Sequence, residues 1–345
     1  MQTNMSYIKY SPLIICTLAI LFVFSSCKTE DEDFIIDVSH IDPALTTYHF
    51  DRDLFTLDPD CLYTTVPEFA MEYGEFFDLF THRVINIGGM ENMAFPDHLK
   101  IFLTDKLNIE VYEYTSGIFS DMSLVETELT DAFRYYRYYF PEKTVPSVYY
   151  YISRFNQSVV TSDSILGIGL DNYLGPSCDY YYSLGLPSYM RYRMRKEMIV
   201  VDAMSGWAMT EFPMEDGDEN LLRHMLYNAK VQYFLCRVVP EKHDSLRWGY
   251  SGRQLDWCKE NEKDLWVFAV ENKLLFSTDF MDIKRYTEEG PCTITISRDA
   301  PSRAMVWLGL QIIKAYMKNN PEISFQDLME EDDYQKILNK SKYNP

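Results

Sequence analysis

A 345-residue chain with 47% hydrophobic residues, 27 tyrosines and a formal net charge of −20 can bury a substantial core, which excludes a disordered polypeptide. The acidic excess also excludes nucleic acid as a partner, because phosphate recognition needs lysine and arginine clustered on a basic face, and no domain-scale face of that kind is present. The length fits one large body or two coupled lobes.

The chain opens with Lys9, an apolar run from Leu13 to Phe24, and Ser25-Ser26-Cys27. The run is too short to cross a bilayer, which takes about 20 apolar residues, so it predicts an export signal rather than a membrane helix. Phe24-Ser-Ser-Cys27 resembles the lipobox of bacterial lipoproteins, whose cysteine is acylated and becomes the mature N-terminus. The resemblance implies a signal peptide over residues 1–26 and lipidation of Cys27. It also implies an address in the cell envelope at the outer membrane. Two or three acyl chains, at about 0.8 kcal/mol per buried methylene, hold a protein at a membrane where one chain does not. Residues 27–39 carry the acidic run Glu30-Asp-Glu-Asp33 and read as a tether. That run either solvates the linker or resembles an export tag to the outer cell surface; both readings stay open.

Beyond Cys16 and Cys27 the body has Cys61, Cys178, Cys236, Cys258 and Cys292. The odd number leaves at least one thiol outside any internal disulfide, and no pair has C-x-x-C or metal-ligand spacing. Mostly buried free thiols are expected, with one or two disulfides as the alternative.

Tyr48 to Phe55 alternates apolar and polar residues, which predicts an extended segment. From Pro67, residues Phe69, Ala70, Tyr73, Phe76, Phe77 and Phe80 recur at helical steps, and Gly88-Gly89 stops them. The stretch from His98 to Gly117 has no decisive period. Asp121 to Phe140 is a helix with Asp121 as its candidate cap and Leu124, Leu129, Phe133 and Tyr136 on one side; its Arg/Tyr-rich end reads as core stripe or as stacking surface. Ser147–Ser153, Ser158–Thr161 and Ile165–Leu170 are β-branched or aromatic runs that predict a small antiparallel sheet. Helices are then expected over Tyr189–Thr210, Leu221–Val238, Arg253–Lys263, Asp264–Leu275, Ala304–Met317 and Ser324–Leu338. Gly309 marks a place for close approach, and Gly167-Ile-Gly169 marks tight backbone packing or a bulge. No repeat or low-complexity linker divides residues 40–345. The fold class is therefore α+β, mostly helical, in one domain.

Leu170-Asp-Asn-Tyr-Leu-Gly175, Pro187-Ser-Tyr-Met-Arg191 and Arg193-Met-Arg-Lys-Glu-Met-Ile-Val-Val-Asp202 resemble the middle of the gliding motility lipoprotein GldB family. Leu255 to Glu262, Leu274 to Asp279, Gly309 to Met317 and Lys340 to Pro345 are similar to its closing pattern. The resemblance implies a membrane-anchored envelope protein tied to gliding and to the associated secretion machinery. It extends distantly to predicted zinc peptidases, whose small sheet precedes a helix bearing H-E-x-x-H, and so implies a degenerate zincin-like arrangement. Here the corresponding helix reads Met198-Ile-Val-Val-Asp-Ala-Met-Ser-Gly-Trp207 without histidine, and the next helix has Asn228 where such enzymes carry a carboxylate.

Other chemistry is sparse. The six histidines are scattered, His224 reads as satisfied or exposed rather than as a ligand, and there is no G-x-S-x-G elbow or phosphate loop. Asp171 and Asp202 are either a carboxylate pair or hydrogen-bonded core and cap residues. Arg191, Arg193, Arg195 and Lys196 make internal ion pairs or a docking patch. The candidate binding residues are Asp171, Tyr173, Arg191 and Asp202. No catalytic residue, metal or cofactor is expected. The function expected is that of a non-catalytic envelope component with protein partners; a divergent hydrolase or glycan-binding lipoprotein is the alternative.

Overall fold

The computed structural model describes residues 35–217 and 219–345, and residues 37–345 form one compact unit. The signal segment, Cys27 and most of the tether lie outside the described residues. Four short strands are β1 (Thr46–Tyr48), β2 (Ser147–Tyr151), β3 (Val159–Ser162) and β4 (Ile165–Gly169). The helices before the sheet's second strand are α1 (Phe50–Thr56), α2 (Leu62–Leu79), α3 (Phe95–Thr104), α4 (Lys106–Ile118) and α5 (Ser123–Tyr139). After β4 come α6 (Asp179–Ser183), α7 (Ser188–Arg193), α8 (Ile199–Glu211), α9 (Leu221–Val238), α10 (Asp244–Trp248) and α11 (Gly252–Glu260). The chain closes with α12 (Glu262–Glu271), α13 (Phe280–Thr287), α14 (Ala304–Asn319), α15 (Phe325–Glu330) and α16 (Tyr334–Ser341). The α+β, mostly helical class is what the periodicity predicts.

The sheet, in the order β1-β2-β4-β3, is mixed rather than antiparallel. Only the β3–β4 hairpin is antiparallel; β1 and β4 both run parallel to β2, with Tyr48 opposite Tyr149 and Tyr149 opposite Gly167. Alternation says which residues share a face but not which way a neighbour runs, so the direction was invisible in the sequence. The chain leaves β2, passes β4 to form the edge strand β3, and turns back into the middle. All five residues of β4 are buried, as a central strand covered on both sides requires. Adding a Cβ to Gly167 would meet Val160 Cγ2 at 2.6 Å, so the glycine run marks tight packing.

One face carries an aromatic core. Phe69, Tyr73, Phe76 and Phe77 of α2, with Phe80 just after it, surround Phe50, and Tyr149 stacks on Phe76 with ring centres 4.2 Å apart. Each such ring removes a large apolar area from water, and the offset and edge contacts add about 0.5–1.5 kcal/mol per pair. Phe50 and Leu54, four residues apart, both point into this core, and that is why the segment predicted as extended over Tyr48–Phe55 is a strand only to Tyr48 and then a helix. In α5 the buried stripe is Val125, Leu129, Ala132, Phe133, Tyr135 and Tyr136, while Leu124 is exposed.

On the other side lies a layer of helices. In α8, Ile199, Val200, Val201, Ala203, Met204, Trp207 and Ala208 are buried, and α9 is buried along nearly its whole length. Central helices of this kind need apolar residues all round. At Gly309 of α14 a Cβ would stand 3.0 Å from both Ala229 Cβ and the Met225 carbonyl oxygen, which is the close approach that glycine predicts.

The helix expected over Tyr189–Thr210 is broken. Arg195 is extended, Met194 supplies its carbonyl to Gly175 N–H at 2.9 Å, and α8 begins only after a 3₁₀ turn over Lys196–Met198. The last predicted helix likewise divides into α15 and α16. The first of these breaks turns Arg193 into the cleft described next.

Candidate functional site

Arg193 ends α7 and reaches three acceptors. Its Nη2 donates to Asp202 Oδ1 of α8 at 2.6 Å, its Nη1 to the Trp248 carbonyl at 3.1 Å, and its Nε lies 3.2 Å from Glu289 Oε1. Charge-assisted bonds of this kind fix a guanidinium in place. Tyr173, in the turn after β4, donates to Asp202 Oδ2 at 3.3 Å from behind. Burial pushes the Asp202 carboxyl above its ordinary range, against the pull of Arg193.

A second guanidinium faces the same glutamate. Arg303, at the start of α14, has Nη1 3.6 Å from Glu289 Oε1 and lies over the Trp248 ring at 5.5 Å. The Gln232 amide of α9, its oxygen toward Arg303, accepts from Nη2 at 2.7 Å and donates to the Arg247 carbonyl at 3.2 Å. Arg303 holds a left-handed backbone, φ 61°, unusual for a side chain of its size.

Two cavities share Tyr189, Arg193, Glu289 and Arg303 as walls. The smaller, about 130 Å³, is faced by the aromatic residues Tyr192, Trp248 and Tyr250. The larger, about 440 Å³, has an apolar side of Val201, Met209 and Leu235 and a polar side that includes Ser205, Asn228 and Gln232. A concave space with a few convergent polar groups is the usual form of a ligand site.

Of the four residues singled out in the sequence, Tyr173 and Asp202 meet here. Asp171 does not. It is fully buried, and its Oδ2 accepts from Ser153 N–H at 3.1 Å and from Phe155 N–H at 2.5 Å, holding the loop that carries the chain from β2 to β3. Asp171 and Asp202 thus have separate partners. Arg191 lies with its guanidinium 3.5 Å from the centre of the Tyr182 ring. In the basic run only Arg193 makes an ion pair among the described residues: Arg195 stacks on Tyr192, and Lys196 donates to the Asp121 carbonyl at 3.0 Å. His224 is satisfied by Glu219 at 2.5 Å. Cys178, Cys236 and Cys258 are buried, and Cys61 is an exposed free thiol. Glu289, Gln232 and Arg303 were missed, although the breaks at Gly249–Gly252 and Gly290-Pro291 flank the site.

The family model described as Gliding motility protein GldB matches residues 31–345. The chain belongs to the GldB family. That membership makes it a gliding-motility lipoprotein by family. No curated protein and no solved structure gives a match. In this GldB-family chain, Val201 and Ser205 stand four residues apart on α8 and line the larger cavity together with Asn228 of α9. Two histidines at that spacing and a carboxylate from the next helix are what a zinc peptidase presents. An alkyl group, a hydroxyl and a carboxamide do not fit zinc. Among the described residues no group of three or more His, Cys, Asp or Glu could share a metal ion. Nor is any helix among the described residues long and apolar enough to cross a membrane.

Proposed function

We propose that this chain is an envelope lipoprotein, anchored through Cys27 at the outer membrane, that serves gliding motility and the associated secretion machinery by binding a protein partner without turning over a substrate. The family supports the gliding-motility lipoprotein part of this reading. What supports binding is the lining of the larger cavity. Its carboxylates are held in ion pairs, Glu288 with Lys284 at 3.5 Å and Glu289 with Arg193, and the helix positions facing it carry Val201, Ser205 and Asn228. General acid–base work needs a titratable group free to exchange a proton with the ligand. Recognition needs only shape and fixed donors.

The test is cross-linking in living cells, with a photoreactive residue in place of Tyr189 or Met209 at the cleft and the Cys27→Ala chain as control. Motility or secretion components recovered with the anchored form alone support the reading. Specific adducts that are absent, or identical for the Cys27→Ala chain, overturn it. A second reading, glycan binding, rests not on Trp248 and Tyr250, which are buried and stack on each other, but on the half-buried Tyr189 and Tyr192 at the smaller cavity, since ring faces suit sugar stacking. Protection of these residues from modification by envelope glycans would favour it.

A further inference from the structure

Glu289 is the carboxylate partner of both cleft arginines, yet it lies on neither of the helices that carry them. It lies between α13 and α14, next to Gly290-Pro291, and its side chain is 44% exposed, against 20% for Arg193 and 12% for Arg303. The two guanidiniums converge on the same oxygen, Oε1, at 3.2 and 3.6 Å.

The arginines are held by other means. Arg193 is fixed by Asp202 and the Trp248 carbonyl, and Arg303 by Gln232, by the Trp248 ring and by its own backbone. Take Glu289 away and both guanidiniums stay in position, with one negative charge too few. Nearly buried guanidiniums without a counter-charge are costly, so the site is complementary to one carboxylate.

We propose that Arg193 and Arg303 form a carboxylate-recognition site, occupied in this structure by Glu289, and that the ligand is a peptide whose carboxylate displaces Glu289 while its chain lies in the 440 Å³ cavity against Val201, Met209 and Leu235. The inference rests on the cleft being the binding surface and names what it recognises. The carboxylate comes from a chain terminus or from an acidic side chain. An internal occupant lowers apparent affinity by the fraction of time it holds the site, so removing it strengthens binding. The net charge of −20 repels a strongly acidic partner at a distance, so the recognition is of a single carboxylate at short range.

The experiment uses the full chain in detergent and isothermal titration with three probes: acetyl-Ala-Ala-Phe with a free terminus, the same peptide amidated, and acetyl-Ala-Glu-Ala amide. Glu289→Ala and Glu289→Gln are each expected to bind a carboxylate probe about tenfold or more tighter than the native chain, and to ignore the fully amidated one. Arg303→Lys placed on Glu289→Ala should lose that gain while melting at a similar temperature. Tighter binding of the first probe assigns a chain terminus, and of the third an acidic side chain. If both Glu289 variants bind no tighter than the native chain, or bind the amide equally well, the inference fails. Cross-linking from Tyr189 would still report a partner in that case, so the two readings fail separately.

Discussion

The guanidinium of Arg193 occupies the space that a Cβ at position 249 would need. Gly249 ends α10 in a left-handed turn, φ 65°, and an added Cβ would stand 3.0 Å from Arg193 Cζ, 3.2 Å from Cδ and closer still to Nη1. Two independent constraints therefore select glycine there: backbone conformation and room for a charged side chain.

Gly249→Ala combines left-handed strain with overpacking, and the expected loss is about 1–3 kcal/mol by urea unfolding. In the Arg193→Ala background the collision disappears and only the backbone part remains. The two substitutions should then be non-additive in a double-mutant cycle. Equal losses in both backgrounds would mean that Arg193 does not need the space.

Asp171 predicts a pH signature. Burial raises its carboxyl to about 6 although the Phe155 and Ser153 amides pull the other way, and its Oδ1 has no hydrogen-bond partner. The folded-state value lies above the unfolded one, so the folded chain binds more protons between about pH 4 and 6. The contribution to stability is complete below that window and is lost as pH rises through it, by about 3 kcal/mol. Asp171→Asn keeps the acceptor and removes the ionisation. Relative to this variant, the native chain should lose stability between pH 4 and 6 and run level above pH 7, as read from unfolding midpoints. A constant difference across that range would refute the assignment.

Lys230 of α9 is buried, and its Nζ donates at 2.9 Å to the carbonyls of Met329, in the last turn of α15, and of Glu331, just after it. Burial lowers the amine to about 8. The unfolded chain then binds more protons between about pH 8 and 10.5, so stability from this group rises with pH across that window. Lys230→Met should abolish the rise and leave two carbonyls without their donor, costing about 1–3 kcal/mol at neutral pH. Faster amide exchange in α16 than in α9 would locate the damage. Unchanged exchange in α16 would show that the lysine is not its tether.

At Gly309 the choice lies between helix propensity, which favours alanine by about 1 kcal/mol, and space. Three atoms already stand 3.0 Å from the added Cβ, one of them the Met225 carbonyl oxygen, which cannot rotate away. Gly309→Val is expected to cost about 2 kcal/mol or more in thermal unfolding. A stabilised variant would mean that α9 and α14 are not in tight register.

Periodicity carried much of the architecture. Leu221 to Val238 is a helix with those same limits, and Gly309 marked the helix crossing. The helix pattern failed at Met194-Arg195, where neither proline nor glycine signals the break; a strand-like contact with Leu174 and Gly175 imposes it. Asp202 stands out in the sequence as a carboxylate in an otherwise apolar helix, and Tyr173 lies in the run Leu170 to Gly175 that resembles the GldB family. Arg191 and Arg193 looked alike, and only the turn at the end of α7 sends one to Tyr182 and the other to Asp202.

By itself, the sequence determined the class, the family and the absence of a histidine pair on α8, because composition, order and local period are properties of the chain. The direction of β1 and β4 beside β2, the convergence of Arg193 and Arg303 on Glu289, and the burial that raises Asp171 were decided by the tertiary structure. Residue 193 lies far along the chain from residues 289 and 303, and no local pattern encodes which distant charges will share one desolvated space.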